Sequence, residues 1–168
     1  MSVTLQDKQV VVAEVNEIAS QAHALVLSEY HGLTVAQMTL LRNEARAAKV
    51  DIRVVKNTLA RRALEGTAYE CAIDSLVGPI VMAFSLDEED PVASARVINN
   101  FLKDKANEKL VVKAIVHDGE LHDGSALKAI ASLPTKEEAI SLLLAVLKAP
   151  VQKLAATLAA VRDQKEAA

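Results

Sequence analysis

The residues of this chain best equipped for chemistry are cations, and they are crowded together. Positions 42–62 carry seven basic side chains (Arg42, Arg46, Lys49, Arg53, Lys56, Arg61, Arg62) against two acidic ones (Glu44, Asp51), a net +5 inside a chain whose total is −3. A basic island on an acidic chain points to one localised polyanion site rather than to general attraction for nucleic acid. The run Arg53-Val54-Val55-Lys56-Asn57-Thr58-Leu59-Ala60-Arg61-Arg62 reads as the end of a strand turning into a helix capped by Asn57. Arg53 is expected to point away from the core side of Ile52 and Val54. Phosphates would then meet both the cations and the free N–H groups of the helix start. Taken alone, the cluster is equally compatible with an ordinary solvated helix face. Only four aromatic residues are present (Tyr30, Tyr69, Phe84, Phe101), so base stacking is not expected as the main mode of RNA contact; backbone and shape recognition is.

Other constellations carry less. His117-Asp118-Gly119-Glu120-Leu121-His122-Asp123 gathers two imidazoles and three carboxylates in seven residues, but at no zinc-ligand spacing, and its Asp-Gly pairs read as turns in a surface loop. Asp87-Glu88-Glu89-Asp90 reads as a solvated, dipole-favoured helix start. Cys71 has no basic neighbour to activate it and is expected in or near the core. There is no phosphate-cradling glycine loop, nucleophile elbow or zinc-protease helix. No cofactor, metal or catalytic role is therefore expected. The competing enzyme reading is a small α/β protein with an acidic cleft around residues 87–90 and 117–123 and a dimerising tail. A coiled-coil adaptor unrelated to RNA is a further rival.

The elements that must position the cations are an α/β set. Apolar runs of strand length recur at 24–28, 52–55, 80–86 and 110–116, separated by helical periodicity, which implies an α/β sandwich. Thr34 with Gln37 and Thr135 with Glu138 fit capping boxes, and Asp90-Pro91 fits an N-cap followed by proline at the first helical position. Gly66 suits a helix C-terminus, while Asp118-Gly119 and Asp123-Gly124 suit turns flanking a short extended piece.

From Thr135 onward the pattern changes. Apolar residues fall at 140, 144, 147, 151, 154, 158 and 161, alternating steps of four and three, a heptad seam that needs a partner. Pro150 interrupts it, so two helical pieces joined by a kink are expected. The expected organisation is a globular α/β domain over residues 1–132 followed by an extended, kinked helical segment over 133–168. No uncharged run approaches the roughly 20 residues of a bilayer span. Met1–Lys8 lacks the pattern of a signal peptide, and a lone cysteine builds no disulfide framework, so a soluble cytoplasmic protein is expected.

At Tyr30-His31-Gly32-Leu33-Thr34-Val35, Val54-Val55-Lys56-Asn57-Thr58-Leu59 with Arg61-Arg62, Val77-Gly78-Pro79, Leu133-Pro134-Thr135 and Leu158-Ala159-Ala160-Val161-Arg162-Asp163, together with the early helix containing Lys8, the chain resembles the bacterial stalk-base family, the tenth protein of the large ribosomal subunit. The resemblance extends along essentially the whole length. It implies a domain docked on the stalk-base region of the large-subunit RNA beside a second RNA-binding protein, with Lys8, Tyr30, Gly32, Lys56, Asn57, Thr58, Arg61 and Arg62 at or near RNA; Arg53 joins the expected RNA-binding set from the basic island. It implies that the C-terminal helix carries acidic stalk dimers, which recruit translation GTPases. Ile140, Leu143, Leu144 and Leu147 would suit one dimer and Val151, Leu154, Leu158 and Val161 another. It also implies a possible repression of the protein's own message. The family's usual Tyr-Arg-Gly is Tyr30-His31-Gly32 here, and a histidine carries little charge near neutral pH.

Overall fold

The computed structural model describes residues 4–87, 89–104, 107 and 109–166, with Val161 and Glu166 described by their backbone alone. The chain divides into two compact units, Met1–Leu133 and Pro134–Ala168. In the first, the element order is α1 (Leu5–Gln21), β1 (Ala24–Glu29), α2 (Val35–Ala47), β2 (Val50–Arg53), α3 (Asn57–Leu64), a 3-10 helix (Glu70–Ser75), β3 (Ile80–Ser85), α4 (Ala93–Lys103), β4 (Val111–His117), β5 (Glu120–Asp123), a 3-10 turn (Gly124–Ala126) and α5 (Leu127–Ala131). The sheet order is β2-β3-β1-β4-β5, with every neighbouring pair antiparallel.

Helices cover both faces of this sheet, which is why the central strands read as unbroken apolar runs rather than as alternating ones. Leu25, Leu27, Met82, Phe84, Ala114 and Val116 pack toward α1, α3 and the 3-10 helix. Val26, Val50, Val81, Ala83 and Ile115 pack toward α2, α4 and α5. Phe84 and Phe101 are the largest fully buried side chains, one in each layer. Burial of each such side chain contributes roughly 1.5–3 kcal/mol before entropy is charged against it. Thr4 with Asp7 and Thr34 with Gln37 close reciprocal capping boxes on α1 and α2. Asp118 (φ 52°) and Gly119 (φ 78°) form the two-residue hairpin between β4 and β5, both in the left-handed region that such a turn requires.

Four local expectations are corrected. The strand expected at 52–55 lies at 50–53, because only Val50–Arg53 find partners on β3, opposite Ser85 to Met82. Val54 is therefore an exposed residue leaving the sheet, not a core one. Lys56, not Asn57, is the N-cap of α3, and Asn57 turns its amide to the Gly78 carbonyl (3.0 Å). Asp90 does not cap α4; its carbonyl accepts from the Ala93 N–H and its carboxylate pairs with Arg96 (2.8 Å), so the helix begins at Ala93 behind Val92. Cys71 is exposed on the 3-10 helix rather than buried.

The second unit is one helix, α6 (Lys136–Glu166), 31 residues long with Pro150 inside it. The Thr135–Glu138 capping box starts it: the Thr135 N–H donates to Glu138 Oε2 (3.0 Å) and the Glu138 N–H to Thr135 Oγ1 (3.3 Å). The expected division into two pieces is not seen. Proline removes one N–H, which leaves the Val146 carbonyl without its intrahelical donor, and on an exposed helix water can take that place.

Candidate nucleic-acid interface

Because β2 ends at Arg53, Val54 emerges at the rim of the sheet and becomes the ridge shared by four adjoining concavities. The largest, of 440 Å3, is lined by Arg42, Arg46, Asp51 and Arg53. Another, of 250 Å3, is lined by Tyr30, Leu33, Thr34, Val35, Met38 and Arg42. A third, of 330 Å3, holds Tyr30, Lys56, Asn57, Gly78 and Pro79, and a fourth, of 190 Å3, holds Lys8, Val11, Lys56 and Leu59. Lys8, Tyr30, Arg53, Lys56 and Asn57 thus meet on one surface from three separate stretches of chain. Thr58 and Arg62 stand exposed on α3, with no side-chain hydrogen bond or ion pair among the described residues. Gly32 (φ 86°) sits in the turn after β1, beside Lys109, and lines none of the four concavities.

Not all of the seven cations are available. Arg53 Nε lies 3.0 Å from Asp51, and its guanidinium 3.9 Å from Glu14. Lys49 pairs with Asp87 at 3.0 Å, a hydrogen bond that holds the Asp87 carboxyl below its ordinary range. Arg61 donates to the Leu76 carbonyl at 3.2 Å. Arg42, Arg46, Lys56 and Arg62 make no ion pair among the described residues. The start of α3 also lacks a side-chain cap, so its first N–H groups join this free positive potential.

Between Arg61 and Tyr30 runs a loop whose four consecutive carbonyls are each taken by a donor from elsewhere in the chain. Leu76 O accepts from Arg61, Val77 O from Lys113 Nζ (2.9 Å), Gly78 O from Asn57 (3.0 Å) and Pro79 O from the Tyr30 N–H (3.3 Å). Gly78 (φ 92°) adopts the turn that only a residue without Cβ accepts easily. Lys113 reaches the loop because β4 bulges there: Leu27 opposes Ala114 and Ser28 opposes Val112, which leaves Lys113 outside the ladder, 3.1 Å from Glu29. Lys113 and Glu29 escaped the sequence reading because nothing local marks a bulge opposite Leu27 and Ser28 of β1, or a lysine whose acceptor, Val77 O, is 36 residues away. Only Val77-Gly78-Pro79 itself carried a signal.

On α6, Ile140, Leu143, Leu144, Leu147, Val151, Leu154 and Leu158 are between 52% and 72% exposed, so the apolar stripe is uncovered. Val161, the remaining seam residue, has its side chain outside the described residues. By length and composition Lys136–Lys165 could cross a membrane. Lys148 and Lys153 near its middle make that costly.

Among the described residues the acidic segments gather no competing site. Asp87 and Asp90 are held by Lys49 and Arg96, and Glu88 lies outside the described residues. No group of three metal-ligating side chains comes together among the described residues, and His117 and His122 belong to the β4–β5 hairpin.

Comparison with known proteins gives these features a common owner. Residues 3–103 match the family model for ribosomal protein L10, and residues 133–168 match the model for the ribosomal protein uL10 C-terminal region. The large ribosomal subunit protein uL10 of Methylococcus capsulatus is 50% identical, with all of both chains covered. Those of Dichelobacter nodosus and Cronobacter sakazakii are each 51% identical, again over all of both chains. The chain therefore belongs to the ribosomal protein L10 family, as a bacterial large-subunit uL10 protein of the cytoplasmic ribosome and a structural component rather than an enzyme.

Proposed function

We propose that this protein is a two-site scaffold: residues 1–132 grip ribosomal RNA at the stalk base, and the helical segment 133–168 carries acidic stalk dimers that recruit translation GTPases. The observation that carries the first half is the convergence of Lys8, Tyr30, Arg53, Lys56 and Asn57 around Val54, flanked by cations without ion-pair partners among the described residues. Thr58, Arg61, Arg62 and Gly32 extend the RNA-contacting set. Phosphate is the expected ligand, because unpaired arginine and lysine beside an uncapped helix start suit its charge and its oxygens.

The exposed stripe on α6 supports the second half. A lone helix has nothing within its own unit against which to bury leucines, and burying four of them would release roughly 6–12 kcal/mol before association costs. Ile140, Leu143, Leu144 and Leu147 form one binding segment and Val151, Leu154, Leu158 and Val161 a second, which predicts one dimer on each side of Pro150. A neighbouring RNA-binding protein at the stalk base and repression of the protein's own message through a leader RNA that imitates the ribosomal site belong to the same reading.

The test uses the full chain and a truncation after Leu133, each mixed with the stalk-base RNA fragment and with purified acidic stalk dimers. The truncation is expected to keep the RNA and lose the dimers. Native mass spectrometry of the full complex is expected to find two dimers. Loss of both activities from the full chain would overturn the scaffold.

A further inference from the structure

Tyr30 is the one aromatic side chain that reaches the surface: Tyr69, Phe84 and Phe101 are each at most 3% exposed. It forms one wall of the 250 Å3 hollow whose other apolar walls are Leu33, Val35, Met38 and Val54. Val35 is 85% exposed and Val54 43%, an unusual amount of bare aliphatic surface for the edge of a cationic site. The hollow is also rigid at its base. The Tyr30 N–H is tied to Pro79 O, the Leu33 N–H to Tyr30 O, and the Thr34 hydroxyl is consumed by Gln37 at the start of α2.

Beside it stand Arg42 and Arg46, one turn apart on α2, with Arg42 lining both the hollow and the 440 Å3 groove. Neither has a carboxylate three or four residues away; positions 38, 39, 43, 45, 49 and 50 are Met, Thr, Asn, Ala, Lys and Val. A like-charged pair at this spacing weakens a helix unless an anion sits between or against it. Their Cβ atoms are about 5–6 Å apart, so the pair can engage neighbouring phosphates of one strand.

We propose that this hollow receives a single unstacked nucleotide of the ribosomal RNA, its base against Tyr30 and its flanking phosphates on Arg42 and Arg46. The proposal rests on the RNA-binding reading above and specifies how one nucleotide is held. The apolar lining and the occupied Thr34 hydroxyl leave the Tyr30 hydroxyl and the Arg42 guanidinium as the hollow's side-chain groups without a partner among the described residues, and the Tyr30→Phe variant tells whether that hydroxyl reads a base edge. Recognition is therefore of the π-face, tolerant of base identity. One such pocket is compatible with a protein poor in aromatics, because the remaining contacts are to backbone.

The experiment measures binding of the full chain to the stalk-base RNA fragment across a salt series. The proteins are wild type, Tyr30→Ala, Tyr30→Phe, Arg42→Gln/Arg46→Gln and a control of equal charge change outside the hollow, Lys103→Gln/Lys128→Gln. Tyr30→Ala is expected to weaken binding about ten-fold with an unchanged salt slope, because stacking carries no counterion release, and Tyr30→Phe to restore it. The arginine pair is expected to lower the slope of log K against log salt by about 1.5, and the control to leave affinity and slope near wild type. Single abasic substitutions along the RNA should then find one position where base loss weakens wild type but is silent in Tyr30→Ala, and where exchange of one base for another is tolerated. Wild-type affinity in Tyr30→Ala, or the absence of any such position, overturns the pocket while leaving RNA binding intact. Failure of the wild type to bind this RNA overturns the RNA reading itself, and the pocket with it.

Discussion

Arg61 is the residue at which folding stability and RNA binding should fall together, and its replacement by methionine tests that. In the structure its guanidinium donates to the Leu76 carbonyl at 3.2 Å, at the head of the loop whose next three carbonyls are held by Lys113, Asn57 and Tyr30. A hydrogen bond from a charged donor contributes about 1.5–3 kcal/mol when desolvated. Arg61 is an exposed residue, so solvent screening reduces the expected loss to about 1 kcal/mol. For a unit of 133 residues this lowers the melting temperature by about 3–5 °C. Differential scanning calorimetry is the suitable assay, because α6 adds a helical signal to circular dichroism that is unrelated to the sheet. Arg62→Met, whose side chain has no hydrogen bond or ion pair among the described residues, should weaken RNA binding without moving the melt. Asn57→Ala removes the bond to Gly78 O, and combining it with Arg61→Met should cost less than the sum of the two by about 0.5 kcal/mol, because both hold one loop. A melt of Arg61→Met within about 1 °C of wild type would refute the structural role and leave Arg61 as a plain phosphate contact.

Tyr69 is buried, donates to the Ala22 carbonyl at 2.6 Å, and has its phenol pushed up to about 12 by burial and then by the negative Asp118. Its contribution to stability is fully present below the unfolded value of about 10 and is lost as pH rises toward 12, so urea midpoints should fall over that window in wild type and not through this group in Tyr69→Phe. Gly124→Ala should cost at least about 2 kcal/mol by denaturant titration, because a Cβ there would lie 2.0 Å from the Val112 carbonyl oxygen, a backbone atom that cannot swing away. His31→Arg should tighten RNA binding, and equal affinity of both proteins at every pH between about 6 and 8 would show that position 31 touches no phosphate. Leu144→Asp with Leu147→Asp should remove one stalk dimer, and Leu154→Asp with Leu158→Asp the other, each counted by native mass spectrometry; loss of both dimers from either pair would argue for a single shared site.

What was legible in the sequence is what local chemistry decides. The capping boxes at Thr34 and Thr135 and the Asp118-Gly119 turn involve side chains and backbone within a few residues of one another, and they stand where their spacing puts them. The central strands were visible because burial on both faces demands continuous apolar residues. The end of β2 was not, because it depends on how far β3 runs alongside it, and that limit turned Val54 from a core residue into the ridge of the interface. Arg53, Lys49 and Arg61 look alike in a charge count, yet Lys49 and Arg61 are answered from distant parts of the chain and Arg53 by Asp51 of its own strand with Glu14 of α1 beyond, while Arg42 and Arg46 have no such partner among the described residues. Asn57 read as a cap because asparagine commonly is one; it stands instead inside the helix behind Lys56, with its amide NH2 donating to Gly78 O, 21 residues away.

The proline inside α6 gives that helix a mechanical character. A helix of 31 residues is about 45 Å long, and the sixteen residues beyond Pro150 form a lever of about 24 Å. The missing hydrogen bond makes Pro150 the most compliant point of the rod. A bend of about 10° there sweeps the far end through about 4 Å without disturbing either apolar segment, because each lies wholly on one side of the pivot. On the scaffold reading proposed above, a dimer on the outer segment would swing through that arc while a dimer on the inner segment would not.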